Sequence, residues 1–73
     1  MSAIRESLYP FEIALQRAPD ARPEFRRALR RAEDAQRALD QEYEQLRQQG
    51  ISGELLLIDH DHRHAILERR PLP

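Results

Sequence analysis

The architecture of the chain is predicted from one segment, EFRRALRRAEDAQRALDQEYEQLRQQG (residues 24–50). Its interior contains neither Gly nor Pro and is rich in Ala, Arg, Glu, Gln and Leu, which favour helix. One set of residues recurs at alternating intervals of four and three, the spacing of a heptad stripe. The stripe consists of Phe25, Leu29, Ala32, Gln36, Leu39, Tyr43 and Leu46. We therefore predict a long helix from about residue 21 to about residue 49.

Both ends of this helix have sequence signals. Asp20 is a suitable N-cap residue, and Pro23 is tolerated within the first turn. Gly50 follows the last helical residue, where a left-handed conformation is needed. Ile51 is then expected to contact Leu46, the apolar contact of a Schellman motif.

A shorter helix is predicted ahead of the long one, from about residue 10 to about residue 18. Pro10 suits the first position of a helix, and Pro19 ends the pattern. The apolar positions follow the i, i+3, i+4, i+7 spacing of one helical face. They are Phe11, Ala14, Leu15 and Ala18, with Ile4 and Leu8 expected to pack ahead of them.

The remainder of the chain predicts a β-hairpin. The segments ELLLID (residues 54–59) and HAILER (residues 64–69) are short apolar runs separated by the polar segment HDHR (residues 60–63). A helix over residues 54–69 is the main alternative, because Leu and Glu favour helix. The predicted fold class is α+β: a short helix, a long helix (about 21–49) and a C-terminal two-stranded antiparallel β-hairpin, in a single domain over residues 1–73.

The predicted core combines the helical stripe with one face of the hairpin. It comprises Phe11, Leu15, Phe25, Leu29, Leu39, Leu46, Ile51, Leu55, Leu57 and Ile66. Leu56 and Ile58 fall on the opposite face of their strand, which a two-stranded hairpin cannot also bury. We therefore expect these two residues to form part of a partner interface.

Composition restricts the classes of function. The 12 basic residues, all Arg, and 13 acidic residues give a formal net charge of −1, so no overall attraction to nucleic acid or anionic lipid is expected. There is no Cys, which excludes disulfides and thiolate metal sites. The chain has no apolar run long enough for a membrane span and no signal-peptide pattern at its start. The expected location is the cytoplasm.

A second candidate surface lies in the Arg-rich part of the predicted helix. Arg26, Arg27, Arg30 and Arg31 could contact phosphates of a nucleic acid or an acidic protein partner. Interleaved Glu24, Glu33 and Asp34 favour the simpler interpretation of a solvated helix face. Tyr9, which precedes Pro10, is a candidate exposed anchor for a partner, because Tyr is enriched at binding hot spots.

Three histidines form the most distinctive local pattern. In a continuous strand His60, His62 and His64 would point to one side and could hold Zn²⁺ or Ni²⁺. The segment is better explained as a polar hairpin tip, so no metal and no cofactor are predicted, and the metal-binding module remains an alternative.

No motif of a catalytic site is present, and we expect no enzymatic activity. The function predicted from the sequence is a small regulatory or adaptor protein that binds a larger protein stoichiometrically, such as a phage- or plasmid-type inhibitor of a host machine. The alternatives are a nucleic-acid-binding regulator, dimeric through the heptad stripe, and the histidine metal module. A homodimer without nucleic acid is also compatible with the sequence.

Overall fold

A computed structural model, which describes residues 8–73, contains a four-stranded antiparallel sheet with one helix packed on one face. The strand order in the sheet is β2-β1-β3-β4. The elements are β1 (Phe11–Gln16), β2 (Glu24–Leu29), α1 (Ala32–Gln48), β3 (Gly53–Asp59) and β4 (Ala65–Leu72), with a 3₁₀ turn over His60–His62. Two hairpins, β1–β2 and β3–β4, are therefore joined through the helix, and their first strands pair at the centre of the sheet.

The predicted short helix over residues 10–18 is wrong, because this segment forms β1. Phe11, Ile13 and Leu15 alternate with Glu12 and residues of the other face, so the same six residues satisfy a period of two as well as a helical period. β1 pairs with β2 on one side and with β3 on the other. Burial in the centre of a sheet therefore outweighs the helical spacing.

The first half of the predicted long helix is also wrong. Residues 24–29 form β2, and α1 begins only at Ala32, with Arg31 rather than Asp20 at the N-cap position. Helix propensities differ by only a few tenths of a kcal/mol per residue among ordinary residues, so pairing with β1 overrides them. The predicted end of the helix is confirmed: Gly50 has a φ of 74°, and the Ile51 amide donates to the Leu46 carbonyl at 3.0 Å.

The prediction of an isolated two-stranded hairpin is wrong as well. Its two strands are present over residues 53–59 and 65–72, but β3 also pairs with β1 over residues 54–59. The hairpin is therefore one half of a larger sheet. β3 is thus a central strand with α1 over one face, and on the other face Leu56 lies between Ala14 and Arg69 of the paired strands and is only 2% exposed.

The core lies between α1 and the face of the sheet that it covers. The buried residues are Ile13, Leu15, Ala35, Ala38, Leu39, Leu46, Leu55, Leu57 and Leu72, with Phe11, Leu29, Tyr43 and Ile51 packed against them. Phe25 and Ile66 were predicted in the core but are 65% and 41% exposed. In the predicted stripe, Ala32 and Gln36 are exposed, because the helix buries the face that contains Ala35 and Ala38.

Ile4, predicted to pack ahead of the first element, lies outside the described residues, and Leu8 is exposed. Within residues 8–73, no helix combines the length and the apolar character needed to cross a bilayer.

Candidate interaction surface at the histidine turn

The register of the strands brings several separate segments to one end of the sheet. Phe11 pairs with Leu29 and with Asp59, and Asp59 pairs with Ala65. The amide of His60 donates to the carbonyl of Pro10 at 2.8 Å, which ties the residues before β1 to the turn after β3. We call this the histidine end; it comprises Leu8, Tyr9, Arg30, Arg31, the turn 60–64, Ile66 and Leu67.

The histidine end contains most of the exposed large apolar side chains. Leu8, Tyr9, Ile66 and Leu67 are 67%, 55%, 41% and 53% exposed. The only other large apolar residue exposed to this degree in the described chain is Phe25, which pairs with Ala14 further along the sheet. The exposed apolar surface is therefore concentrated rather than scattered.

A β-bulge in β4 accounts for the exposure of Leu67. Ile66 pairs with Ile58, whereas Glu68 pairs with Leu57, so Leu67 is the extra residue between two paired positions. A bulge bends the strand locally and redirects a side chain. Ile66 and Leu67 are consecutive apolar residues of an edge strand, so the sequence indicates that both cannot face the core. The sequence alone does not show where the bulge lies.

The polar centre of the histidine end is a chain of three side chains. The Nε2 atom of His60 lies 2.6 Å from Oε1 of Glu12, which lies on β1. The Nδ1 atom of His60 lies 2.5 Å from Nδ1 of His64, and the two rings meet edge-to-face with centroids 4.7 Å apart. Sequence reasoning did not anticipate Glu12, because it is 48 residues away in the chain.

His62 belongs to a separate pair. Its Nδ1 lies 2.6 Å from Oδ2 of Asp59, whose buried carboxylate also accepts from the amide of Asp61 at 3.0 Å. Of the three histidines that the sequence offers as metal ligands, His60 and His64 thus contact each other, whereas His62 contacts Asp59. Among the described residues, no group of three or more His, Cys, Asp or Glu is arranged to hold a metal ion.

The backbone of the turn is unusual for its sequence. Arg63 and His64 both have φ near 57°, in the left-handed region that glycine and asparagine adopt most readily. Such a conformation in other residues costs about 1–3 kcal/mol and persists only where the surroundings hold it. The two residues reverse the chain so that His64 lies beside His60. No Gly or Asn signals this turn, so its type was not predictable from the sequence.

The four arginines predicted as a patch are divided by the structure. Arg26 donates from Nε to Oε1 of Glu42 at 3.0 Å, and Arg27 donates from Nη1 to Oε1 of Gln41 at 3.2 Å; both acceptors lie on α1. Arg30 and Arg31 are exposed in the connection between β2 and α1, with no ion pair to another residue of the range 8–73. Only the latter pair belongs to the histidine end.

The other predicted contact residues differ in accessibility. Tyr9 is exposed, as expected of an anchor. Leu56 is only 2% exposed, and Ile58 is half-buried on the same face of β3. Leu56 could therefore make only a small direct contact with a partner, whereas Ile58 pairs with the exposed Ile66.

Comparison of the chain with protein-family models, with curated proteins and with solved structures finds no match in any of the three. The basis for a functional proposal is therefore the fold, an antiparallel ββαββ sheet with one helix, and the surface at its histidine end.

Proposed function

We propose that the protein is a non-enzymatic binding module that engages a larger protein through the histidine end. The observation that carries this proposal is a set of four exposed apolar side chains, Leu8, Tyr9, Ile66 and Leu67, that strand pairing brings to one end of the sheet beside a charged turn. Apolar anchors within a polar rim are typical of protein interfaces, and Tyr is enriched among the residues that contribute most binding energy.

The edges of the sheet favour recognition by side chains over strand addition. Each edge strand contains a register shift: Arg26 is the extra residue in β2, and Leu67 is the extra residue in β4. Pro23 precedes β2 and Pro71 lies within β4. Bulges and prolines at edges hinder pairing with another strand. A partner is therefore expected at the end of the sheet rather than along its edges.

The other functions considered have less support. Two of the four arginines of the nucleic-acid hypothesis point to α1, and the net charge is −1. A dimer through the heptad stripe loses its basis because residues 24–29 form a strand. A regulator or adaptor, including a phage- or plasmid-type inhibitor, remains the kind of protein proposed, with the cytoplasm as its location.

The proposal is tested by affinity capture from an extract of the cells that encode the protein, with two matched variants. Leu67→Asp places a charge in this set of side chains, whereas Phe25→Asp places one at a site elsewhere on the sheet that is at least as exposed. We expect Leu67→Asp to reduce recovery of the captured partner at least tenfold, because it buries a carboxylate in an apolar contact. Phe25→Asp should leave recovery within twofold of the unmodified protein.

Circular dichroism of both variants serves as the folding control. The proposal is wrong if Phe25→Asp abolishes capture while Leu67→Asp retains it, or if neither substitution alters any captured protein. A Tyr9→Ala variant, tested in the same way, should also lose the partner, since it removes the aromatic anchor of the same surface.

A further inference from the structure

His60 and His64 have two features of a metal chelate. Their Nδ1 atoms face each other at 2.5 Å, and a carboxylate of Glu12 lies 2.6 Å from the other ring nitrogen of His60. Metal-binding histidines characteristically donate their second ring N–H to a carboxylate or carbonyl, which fixes the tautomer and the orientation of the ring. From this arrangement we propose that His60 and His64 form a two-imidazole site for a divalent transition metal, with preference for Cu²⁺.

The contact with Glu12 determines which nitrogen of His60 is available. An ionised carboxylate only accepts hydrogen bonds, so Nε2 of His60 carries the proton and donates it to Oε1 of Glu12. The lone pair of neutral His60 is then at Nδ1, directed toward His64. The contact between the two Nδ1 atoms is a hydrogen bond, so Nδ1 of His64 donates its proton to Nδ1 of His60. A metal ion takes the place of this proton, which leaves to solvent or moves to Nε2 of His64, and the Nδ1 atoms of both rings then bind the metal. The two nitrogens thus face each other in the folded protein and need only move apart to admit a metal ion.

The distance between the two nitrogens selects among metals. Two nitrogens about 2.0 Å from one ion lie about 2.8 Å apart at the right angle of a square-planar site, and about 3.3 Å apart at a tetrahedral angle. The observed separation of 2.5 Å must therefore widen less for Cu²⁺ than for tetrahedral Zn²⁺. Cu²⁺ also forms the strongest complexes of the divalent first-row metals with a given set of ligands.

The remaining coordination positions are open to solvent. His64 is exposed, and His62 does not contribute a ligand because its Nδ1 atom contacts Asp59 instead. The protein therefore supplies two ligands, and water or another exchangeable donor supplies the others. Because metal binding is measured on the protein alone, this inference stands independently of the proposed partner and is tested separately from it.

The test is a titration with Cu²⁺ as the only added metal, in a non-coordinating buffer near neutral pH, followed by calorimetry and low-temperature electron paramagnetic resonance. We expect one equivalent of Cu²⁺ with hyperfine coupling to two nitrogens. His64→Ala should weaken binding at least tenfold and leave coupling to one nitrogen. His62→Ala, the matched control, should change the affinity less than twofold because His62 is not a ligand.

Two further variants make the result decisive. Glu12→Gln should weaken Cu²⁺ binding about tenfold while both nitrogen couplings remain, since loss of an orienting carboxylate typically costs 10–100-fold in affinity. His60→Ala combined with His64→Ala should abolish the two-nitrogen signal, with circular dichroism confirming the fold. The site is rejected if this double variant binds Cu²⁺ as tightly as the unmodified protein, or if His62→Ala weakens binding as much as His64→Ala does.

Discussion

At the scale of single residues, the two glycines have different structural roles. Gly53 has a φ of 133°, and a Cβ atom added to it would lie 2.5 Å from the carbonyl oxygen of Gln16 in the adjacent strand. Gly50 has a φ of 74°, but a Cβ atom there would have no neighbour within 4 Å. Gly50 thus satisfies a backbone requirement alone, whereas Gly53 satisfies a backbone and a packing requirement together.

This difference predicts unequal costs for alanine. Gly53→Ala should lower the free energy of unfolding by about 2–4 kcal/mol, because a strained φ is combined with a clash against backbone. Gly50→Ala should cost about 1 kcal/mol, the cost of a left-handed conformation alone. Urea denaturation monitored by circular dichroism measures both values. Equal losses in the two variants would show that the close approach of Gly53 to Gln16 contributes nothing.

The same two residues indicate what sequence can predict at this scale. The role of Gly50 is local, since it depends on a helix that ends two residues earlier at Gln48, and this role was predicted from the sequence. The steric role of Gly53 depends on Gln16, which becomes its neighbour only when β1 and β3 pair. Residue types therefore predict backbone conformation better than they predict close approaches between distant segments.

At the scale of elements, the errors fall where two periodicities coincide. Phe11, Ala14 and Leu15 fit a helical face, but Phe11, Ile13 and Leu15 fit one face of a strand equally well. Residues 24–29 continue the pattern of α1, so nothing local separates β2 from the helix. The second half of the predicted helix was correct because seventeen residues provide several turns of consistent pattern.

The bulge in β2 has a structural consequence that can be measured. Phe25 pairs with Ala14 and Arg27 pairs with Ile13, so Arg26 is the extra residue, and its guanidinium reaches Glu42. The Glu42 side chain is 11% exposed, which makes this pair less accessible to solvent than the other Arg–carboxylate pairs of the described chain. Removal of one partner leaves a charge without its counterion, which costs more than loss of an exposed pair.

We therefore expect strong coupling between Arg26 and Glu42. In a double-mutant cycle with Arg26→Met and Glu42→Leu, the coupling should be about 1–2 kcal/mol, because the double variant leaves no unpaired charge. The matched control is the exposed neighbouring pair, with Arg27→Met and Gln41→Leu, for which coupling below about 0.5 kcal/mol is expected. Unfolding in urea gives all the free energies. Coupling no larger for Arg26 and Glu42 than for the control would refute the interpretation.

At the scale of the whole molecule, the candidate surface depends on the order of the strands. Tyr9 was predicted to be exposed from its position before a proline, and it is exposed. Leu67 and the contact of Glu12 with His60 were not predicted, because they require β3 to lie between β1 and β4. A surface built from three separate segments cannot be assembled from sequence until the pairing of the strands is known.

The helix is joined to the last strand by a group of charged side chains. Arg70 of β4 donates to Asp40 of α1 at 2.6 Å and to Glu68 at 2.7 Å, and its guanidinium lies 5.5 Å from the centre of the Tyr43 ring. The hydrogen bond to Asp40 raises the pKa of Arg70 above its ordinary value. The hydrogen bond from Arg70, and then that from Gln36, lowers the pKa of Glu68. This group connects the last strand to the only α-helix within residues 8–73.

The lowered pKa of Glu68 makes global stability depend on pH in a definite direction. A carboxyl group whose pKa is lower in the folded than in the unfolded state stabilises the fold above its ordinary pKa of 4.5, and that contribution is lost as the pH falls through the lowered value. Glu68→Gln should therefore reduce stability at pH 7 but make the loss of stability below pH 4.5 shallower. Urea denaturation from pH 7 downward tests this, with Asp20→Asn, an exposed loop residue, as the matched control. If both variants follow the acid dependence of the unmodified protein, the contact of Glu68 with Arg70 does not contribute to acid unfolding.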